Sequence, residues 1–113
     1  EPLVEAFGAT LEETLDADIL LLVVDLADPD WAHQLNTVHG LLDSLGSRSF
    51  RQVIANQIDR CSLDAIDSIR GQEPSCLFLS ALRGDGLLGL QQWLHEQFFD
   101  TGAESVVTAD RLT

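Results

Sequence analysis

The sequence predicts an α/β fold: a three-stranded parallel sheet with flanking helices. Apolar runs at 19–25, 51–56 and 76–80 have the length and composition of buried strands. Around them lie four segments in which apolar residues recur every three or four positions, as they do along one face of a helix. Strands separated by helices in this way pair in parallel through right-handed crossovers. At 113 residues the chain is one domain or part of one.

The first two elements are a helix over about 2–15 and a strand over 19–25. The helix is indicated by apolar residues at a spacing of four, which are Leu3, Phe7, Leu11 and Leu15. The strand carries apolar side chains on both faces, which is typical of a strand covered by helices on both sides.

The second helix follows this strand after a turn. Asp28 fits its N-cap and Pro29 its first helical position, and Gly46 fits a C-terminal stop. The predicted buried stripe of this helix consists of Trp31, Leu35, Val38, Leu42 and Leu45.

The second half of the chain repeats the order of strand and helix. A strand over about 51–56 is followed by a short helix that Ser62 caps and Gly71 ends. A strand over 76–80 then precedes a last helix over about 86–99. The predicted buried residues of these two helices are Leu63, Ile66 and Ile69, then Leu87, Leu90, Leu94 and Phe98.

The composition excludes several classes of protein. The net charge is −13 and all six basic residues are arginines, so this segment lacks the clustered Lys and Arg that bind nucleic-acid phosphates. Cys61 and Cys76 have neither metal-ligand nor disulfide-framework spacing, and we expect both to be reduced thiols of a cytoplasmic protein. The apolar run 19–24 is far shorter than the ~20 residues of a membrane span.

Asn56 and Asp59 lie three positions apart where the second predicted strand ends. Ligands of open α/β sheets bind outside the carboxyl ends of the strands. A carboxylate there can accept hydrogen bonds from N1–H and the exocyclic amine of guanine, whereas it repels the N1 lone pair of adenine. Charge-assisted bonds contribute about 1.5–3 kcal/mol each, so Asp59 alone could decide which base binds. A plain turn is the alternative, because Asn and Asp are common after strands.

Two other strand ends are predicted at the same end of the sheet. Asp25 ends the first strand, and Ser80, Ala81 and Leu82 end or follow the third. A backbone amide at Ser80 or Ala81 can donate to guanine O6, which adenine lacks, and small side chains there let the base approach. We expect Asp25 to order the loop after its strand rather than to take part in catalysis.

Two further patterns do not predict sites. The residues 84–89 fit the G-x-G-x-x-G fingerprint, but a dinucleotide site requires a following strand that ends in an acidic residue, and only a polar tail follows here. His33, His39 and His95 lack the spacing of metal ligands, and we expect them on the surface.

The residues 56–59 (NQID), followed by Ser80 and Ala81, resemble the base-recognition loops of Ras-like GTPases. The chain over about 1–99 is more narrowly similar to the HflX family of ribosome-associated GTPases. The stretches that carry this similarity are 3–7 (LVEAF), 9–13 (ATLEE), 17–18 (AD) and 23–25 (VVD). The resemblance implies the second half of a P-loop GTPase (Ras-like) domain. It also implies a cytoplasmic, Mg-dependent GTP hydrolase that works at the large ribosomal subunit.

The chain departs from the family in its phosphate-binding parts. The family's phosphate-binding loop contains a lysine, and this chain has none; the Asp-x-x-Gly turn, the switch threonine and the Mg ligands are also missing. Gln57 replaces the usual lysine of the Asn-Lys-x-Asp motif, and Gly8 stands where a long side chain is expected. The resemblance therefore implies that this segment supplies guanine-binding residues and that Mg belongs to the full-length parent. Alone it would bind GTP or GDP weakly or not at all and would be inactive.

The strand at 19–25 lies inside the sheet in the Ras-like strand order, so without its neighbour it becomes a long apolar edge. This predicts either a homodimer through 19–25 or a monomer whose tail or first helix covers the edge. The tail 100–113 is polar apart from Val106 and Val107, and we expect it to fray. The alternative function is a non-enzymatic interaction module that binds a protein partner or itself through exposed apolar surfaces.

Overall fold

The computed structural model describes residues 11–56, 61–80, 86–100 and 102–109 and shows an α/β fold with a parallel sheet. Its elements in chain order are α1 (Leu11–Asp16), β1 (Ile19–Asp25), α2 (Trp31–Ser44), β2 (Phe50–Asn56), α3 (Leu63–Gln72), β3 (Leu77–Phe78), α4 (Leu87–Asp100) and β4 (Val106–Ala109). This order confirms the predicted alternation of helices and strands. The part of the predicted first helix at 2–10 lies outside the described residues.

The sheet has four strands rather than the predicted three. Its order is β3–β2–β1–β4, and every neighbouring pair is parallel. The fourth strand comes from the tail that the sequence predicts to fray, so that prediction is wrong for Val106–Ala109. Val106 and Val107 are β-branched residues, which favour a strand wherever a partner is available, and β1 supplies the partner.

β4 covers the edge of β1 along Ile19–Leu22. The beginning of β4 is fixed by hydrogen bonds to Asp18. The Asp18 amide donates to Ser105 Oγ (2.9 Å), and Asp18 Oδ2 accepts from the amides of Glu104 (2.7 Å) and Ser105 (3.2 Å). We call these three bonds the Asp18–Ser105 clasp. They orient the tail so that it enters the sheet parallel to β1.

The paired edge removes the basis of the predicted homodimer. Direct pairing of two chains through 19–25 requires an unpaired edge, but Ile19–Leu22 already pairs with β4. The alternative in which the tail covers the edge is confirmed along these residues, and the oligomeric state stays a prediction.

Two apolar clusters lie on opposite faces of the sheet, because side chains alternate along each strand. The first cluster joins β1 to α2 and α3, and its buried members include Leu20, Leu22, Val24, Trp31, Leu35, Leu42 and Ile69. The second joins β1 to α4, and its members include Ile19, Leu21, Leu90, Trp93 and Leu94. The prediction that β1 is covered on both faces is confirmed.

α2 begins later than the sequence predicts. Asp30 occupies the N-cap position without a side-chain capping bond. Asp28 lies in the turn before it, where its Oδ1 accepts from the Asp30 amide (2.9 Å) and its Oδ2 accepts from Gln34 Nε2 (3.3 Å). The assignment of Asp28 as N-cap and Pro29 as first helical residue is therefore wrong, because the Asp28 carboxylate orders the turn instead.

The end of α2 follows the prediction. Gly46 has a φ of 77°, in the left-handed region that glycine adopts at low cost. The Ser47 amide donates to Leu42 O at 3.0 Å, which satisfies a carbonyl of the last turn. Leu45 is the C-cap residue and remains exposed, so its predicted burial is wrong.

α3 begins where the sequence predicts and ends slightly later. Ser62 Oγ accepts from the Ala65 amide at 3.1 Å, which confirms Ser62 as N-cap. The helix continues past Gly71 to Gln72. β3 is shorter than the predicted strand at 76–80, and its register places Leu77 opposite Ile54 and Phe78 opposite Ala55.

The buried faces of α3 and α4 are narrower than predicted. Leu63 is 80% exposed, whereas Ile69 is fully buried, so α3 contacts the sheet through its last turns. Leu87 and Phe98 are also exposed. The residues of α4 that pack against the second cluster are Leu90, Trp93 and Leu94. No helix among the described residues is long and apolar enough to cross a membrane.

His39 is half buried, which corrects the prediction of a surface histidine. Its Nε2 lies 2.9 Å from Glu73 Oε1, and its Nδ1 lies 3.1 Å from Arg51 Nη1. Arg51 also donates to Asp43 Oδ1 at 2.7 Å. Because a guanidinium group has only donors, Nδ1 accepts from Arg51 and Nε2 donates to Glu73. This network joins α2, β2 and the end of α3.

Cys61 and Cys76 are half buried, and no disulfide joins them in the described part of the chain. That both are reduced thiols stays a prediction. Burial raises the pKa of the Cys76 thiol, and the negative charge of Glu73 raises it further.

Candidate nucleotide-binding rim

The carboxyl ends of β1, β2 and β3 form one end of the sheet, which we call the carboxyl-terminal rim. Asp25 and Asn56, the last residues of β1 and β2, are opposite each other in register. The Leu26 amide donates to Asn56 O at 3.1 Å, so the chain stays attached to β2 after β1 has ended. Asn56 therefore starts the 57–60 segment from a fixed position.

Ser80 lies at the same rim, one strand away from Asn56. The Leu79 amide donates to Ala55 O at 2.8 Å, which extends the contact between β3 and β2 beyond Phe78. Ser80 follows directly and is only 1% exposed. Asn56 and Ser80 thus lie at the ends of adjacent strands, each held by a backbone hydrogen bond close to it.

Gly86 returns the chain to β3 after the 81–85 segment. Its φ is 82°, and a Cβ at this position would collide with the carbonyl oxygen of Phe78. Only glycine therefore fits here. The sequence does not distinguish Gly86 from the other glycines of 84–89, because the close approach to Phe78 depends on the tertiary structure.

Asp25 orders the turn after β1, as the sequence predicts. Its Oδ1 accepts from the Ala27 amide at 2.9 Å, and its carbonyl oxygen accepts from the Asp28 amide at 3.1 Å. The side chain is exposed and makes a local hydrogen bond. Asp25 is therefore a structural residue that orders the turn at this rim.

Gln57, Asp59, Ala81 and Leu82 lie outside the described residues, so their contacts with guanine stay predictions. The structure defines where their segments begin and end. The 57–60 segment leaves from Asn56, and the 81–85 segment runs between Ser80 and Gly86.

The described residues of this rim are acidic or neutral. Asp25 is acidic and repels phosphate, and the chain contains no lysine. Among the described residues, no group of three or more His, Cys, Asp and Glu could hold a metal ion. His33 and His95 are exposed, as predicted. That the phosphates and Mg of a bound nucleotide belong to the full-length parent stays a prediction.

Comparison with known proteins shows to which family this chain is related. The chain is 40% identical over 86 residues to the GTPase HflX of Magnetococcus marinus, a match that covers 75% of this chain and 20% of that protein. It is 36% identical over 80 residues to the GTPase HflX of Gluconacetobacter diazotrophicus, over 70% of this chain and 18% of the relative. This chain is homologous to the HflX GTPases. The family resemblance found in its sequence is thereby confirmed, although no protein-family model matches the chain.

The chain spans about a fifth of the length of the HflX proteins that it matches. The GTPase HflX of Escherichia coli is 34% identical over 98 residues, which covers 84% of this chain and 23% of that protein. A match of this extent necessarily includes Asn56 and Ser80, because both lie well inside the chain. The carboxyl-terminal rim is therefore part of the region shared with HflX.

Proposed function

We propose that this HflX-related chain supplies the guanine-binding face of a GTP-binding, GTP-hydrolysing protein. The base lies at the carboxyl-terminal rim, between the segment that follows β2 and the segment that follows β3. The residues assigned to it are Asn56, Gln57, Asp59, Ser80, Ala81 and Leu82.

The observation that carries this proposal is the pair of backbone hydrogen bonds at the rim, from Leu26 to Asn56 and from Leu79 to Ala55. They hold the ends of three adjacent strands, whose spacing is about 4.8 Å. A purine presents hydrogen-bonding groups on several edges of one flat ring system. Neighbouring strand ends can contact two of these edges at once.

Each segment has a separate role in base selection. The Asp59 carboxylate accepts from N1–H and the exocyclic amine, and the Ala81 amide donates to O6. Gln57 places its apolar stem against the base, without the charge of the lysine that it replaces. Adenine lacks both N1–H and O6, so it loses the contacts made by both segments.

Hydrolysis belongs to the full-length protein rather than to this segment. Phosphoryl transfer depends on phosphate positioning and on Mg, and this chain's residues fit neither. We assign the phosphate-binding loop, Mg and association with the large ribosomal subunit to the parent, in the cytoplasm. The isolated chain accordingly releases no phosphate from GTP.

The test is an NMR titration of the isotope-labelled chain with GMP, GDP and AMP. We expect dissociation constants in the millimolar range or weaker, because a few base contacts must offset an association cost of at least ~4 kcal/mol. Amide shifts at Asn56 and Ser80 should appear with GMP and GDP but not with AMP. Asp59→Ala should abolish them, whereas Asp67→Ala, the same charge change on an exposed residue of α3, should not.

Two results would contradict the guanine assignment. One is an equal response to GMP and AMP, and the other is an equal loss of the response in Asp59→Ala and Asp67→Ala. In the full-length parent, Asp59→Asn should shift the preference towards xanthine nucleotides, because their 2-oxo group accepts from the amide of asparagine.

A non-enzymatic interaction module is the second candidate. Leu63, Leu88 and Phe99 are large apolar residues that are mostly exposed, and exposed apolar side chains that cluster into patches mark protein contacts. The titration separates the two functions, because a module of this kind does not distinguish GMP from AMP.

A further inference from the structure

A groove lies at the amino ends of β1 and β2, at the opposite end of the sheet from the carboxyl-terminal rim. Its volume is about 340 Å³, and it is lined by Asp18, Ile19, Phe50, Gln97, Gly102 and Ala103. The Ala103 amide donates to Gln97 O at 3.1 Å, so the chain that follows α4 closes one side of the groove. This volume is at the small end of ligand pockets, which span about 300–1,000 Å³. It suits a single side chain better than a nucleotide.

Phe50 gives this groove an exposed aromatic surface. Its side chain is 54% exposed although it begins a central strand. The ring stacks on Trp93 with a centroid distance of 6.1 Å and an angle of 26° between the planes. Trp93 packs against the second apolar cluster, so the aromatic pair is held against the sheet. The face of such a ring attracts a cation.

The surroundings of the groove are negatively charged. The Asp18 carboxylate lines it and is held in place by the amides of Glu104 and Ser105. α4 ends beside the groove at Asp100 and has no basic residue in its last turn, so the negative end of its dipole is not offset. Among the described lining residues, none is basic. The net charge of −13 further favours encounter with a basic partner.

We propose that this groove binds the side chain of an arginine carried by a partner protein. The guanidinium group stacks on Phe50 and pairs with the Asp18 carboxylate, while the methylene stem contacts Ile19 and Ala103. Arginine suits this arrangement better than lysine, because its planar group combines stacking with hydrogen bonding. The site is independent of the guanine proposal, since it lies at the other end of the sheet.

The test is an NMR titration of the whole chain with N-acetyl-arginine amide. N-acetyl-citrulline amide is the matched control ligand, because it has nearly the same shape but no charge. We expect saturable shifts at Ile19, Phe50 and Ala103 with arginine. Binding of citrulline should be roughly two- to fivefold weaker, which is the ratio expected from an exposed cation–π contact. Free guanidinium should bind more weakly than either, because it lacks the stem.

A pair of variants tests the role of the aromatic surface. Phe50→Thr removes the ring and introduces a β-branched residue, which favours a strand, and it should reduce arginine binding to the level of citrulline. Phe99→Ala removes an exposed ring of α4 that does not line the groove, and it should leave arginine binding unchanged. Equal binding of arginine and citrulline by the unmodified chain would overturn the proposal, and so would free guanidinium binding as well as N-acetyl-arginine amide. Unchanged arginine binding in folded Phe50→Thr would overturn it too.

Discussion

Gly86 is a single residue on which the path of the chain around the carboxyl-terminal rim depends. We expect Gly86→Ala to lower the free energy of unfolding by at least about 1–2 kcal/mol, the cost of left-handed backbone for an L-residue. The collision of the new Cβ with Phe78 O adds to this cost. Urea denaturation measures the change.

Gly89→Ala is the matched control, since it adds the same methyl group three residues later. Nothing lies within 4 Å of the added Cβ, and the position is inside α4. The stability should be unchanged or should rise by up to about 1 kcal/mol, because alanine favours a helix. Equal stability of Gly86→Ala and the unmodified chain would show that Phe78 can move aside at no cost.

At the scale of elements, the Asp18–Ser105 clasp decides whether the tail is a strand. Ser105→Ala removes the acceptor of the Asp18 amide, and a hydrogen bond of this kind is worth about 0.5–1.5 kcal/mol. We expect the Ile19 and Val106–Ala109 amides to exchange faster with solvent, while those of β2 keep their protection. Hydrogen exchange followed by NMR measures both sets in one sample.

Ser68→Ala controls for the loss of a hydroxyl group, because Ser68 is an exposed residue of α3. Its exchange pattern should match that of the unmodified chain. Faster exchange throughout the sheet in Ser105→Ala would mean that the clasp supports the whole fold and not β4 alone.

At the scale of the whole molecule, β4 keeps the apolar edge of β1 from other chains. A variant that ends at Asp100 exposes Ile19–Leu22, and such an edge is a template for association. We expect this variant to form dimers or larger species at concentrations where the whole chain stays monomeric. Sedimentation velocity distinguishes these species.

The same truncation combined with Val23→Lys should restore the monomer, because a lysine on an edge strand opposes pairing. If the truncated chain were monomeric without this substitution, protection of the edge by β4 would be contradicted.

Local sequence was sufficient to predict the elements that carry the rim. β1 is an uninterrupted apolar run, and Gly46 and Ser62 mark helix ends through their own backbone and side-chain chemistry. The relationship to HflX could also be predicted, because short stretches in the first predicted helix and in the first strand carry it. These features depend on residues that are close together in the chain, so a pattern of neighbours is enough to identify them.

Only the tertiary structure decided the fourth strand, the Asp18–Ser105 clasp and the hydrogen-bond network of His39. The Asp18 amide and Ser105 Oγ are 87 residues apart in sequence, and Glu73 lies 34 residues from His39. Val106 and Val107 form a strand because β1 presents an apolar edge to them. Such pairings are stabilised by contacts between segments that are distant in the sequence, so a local pattern of residues does not predict them.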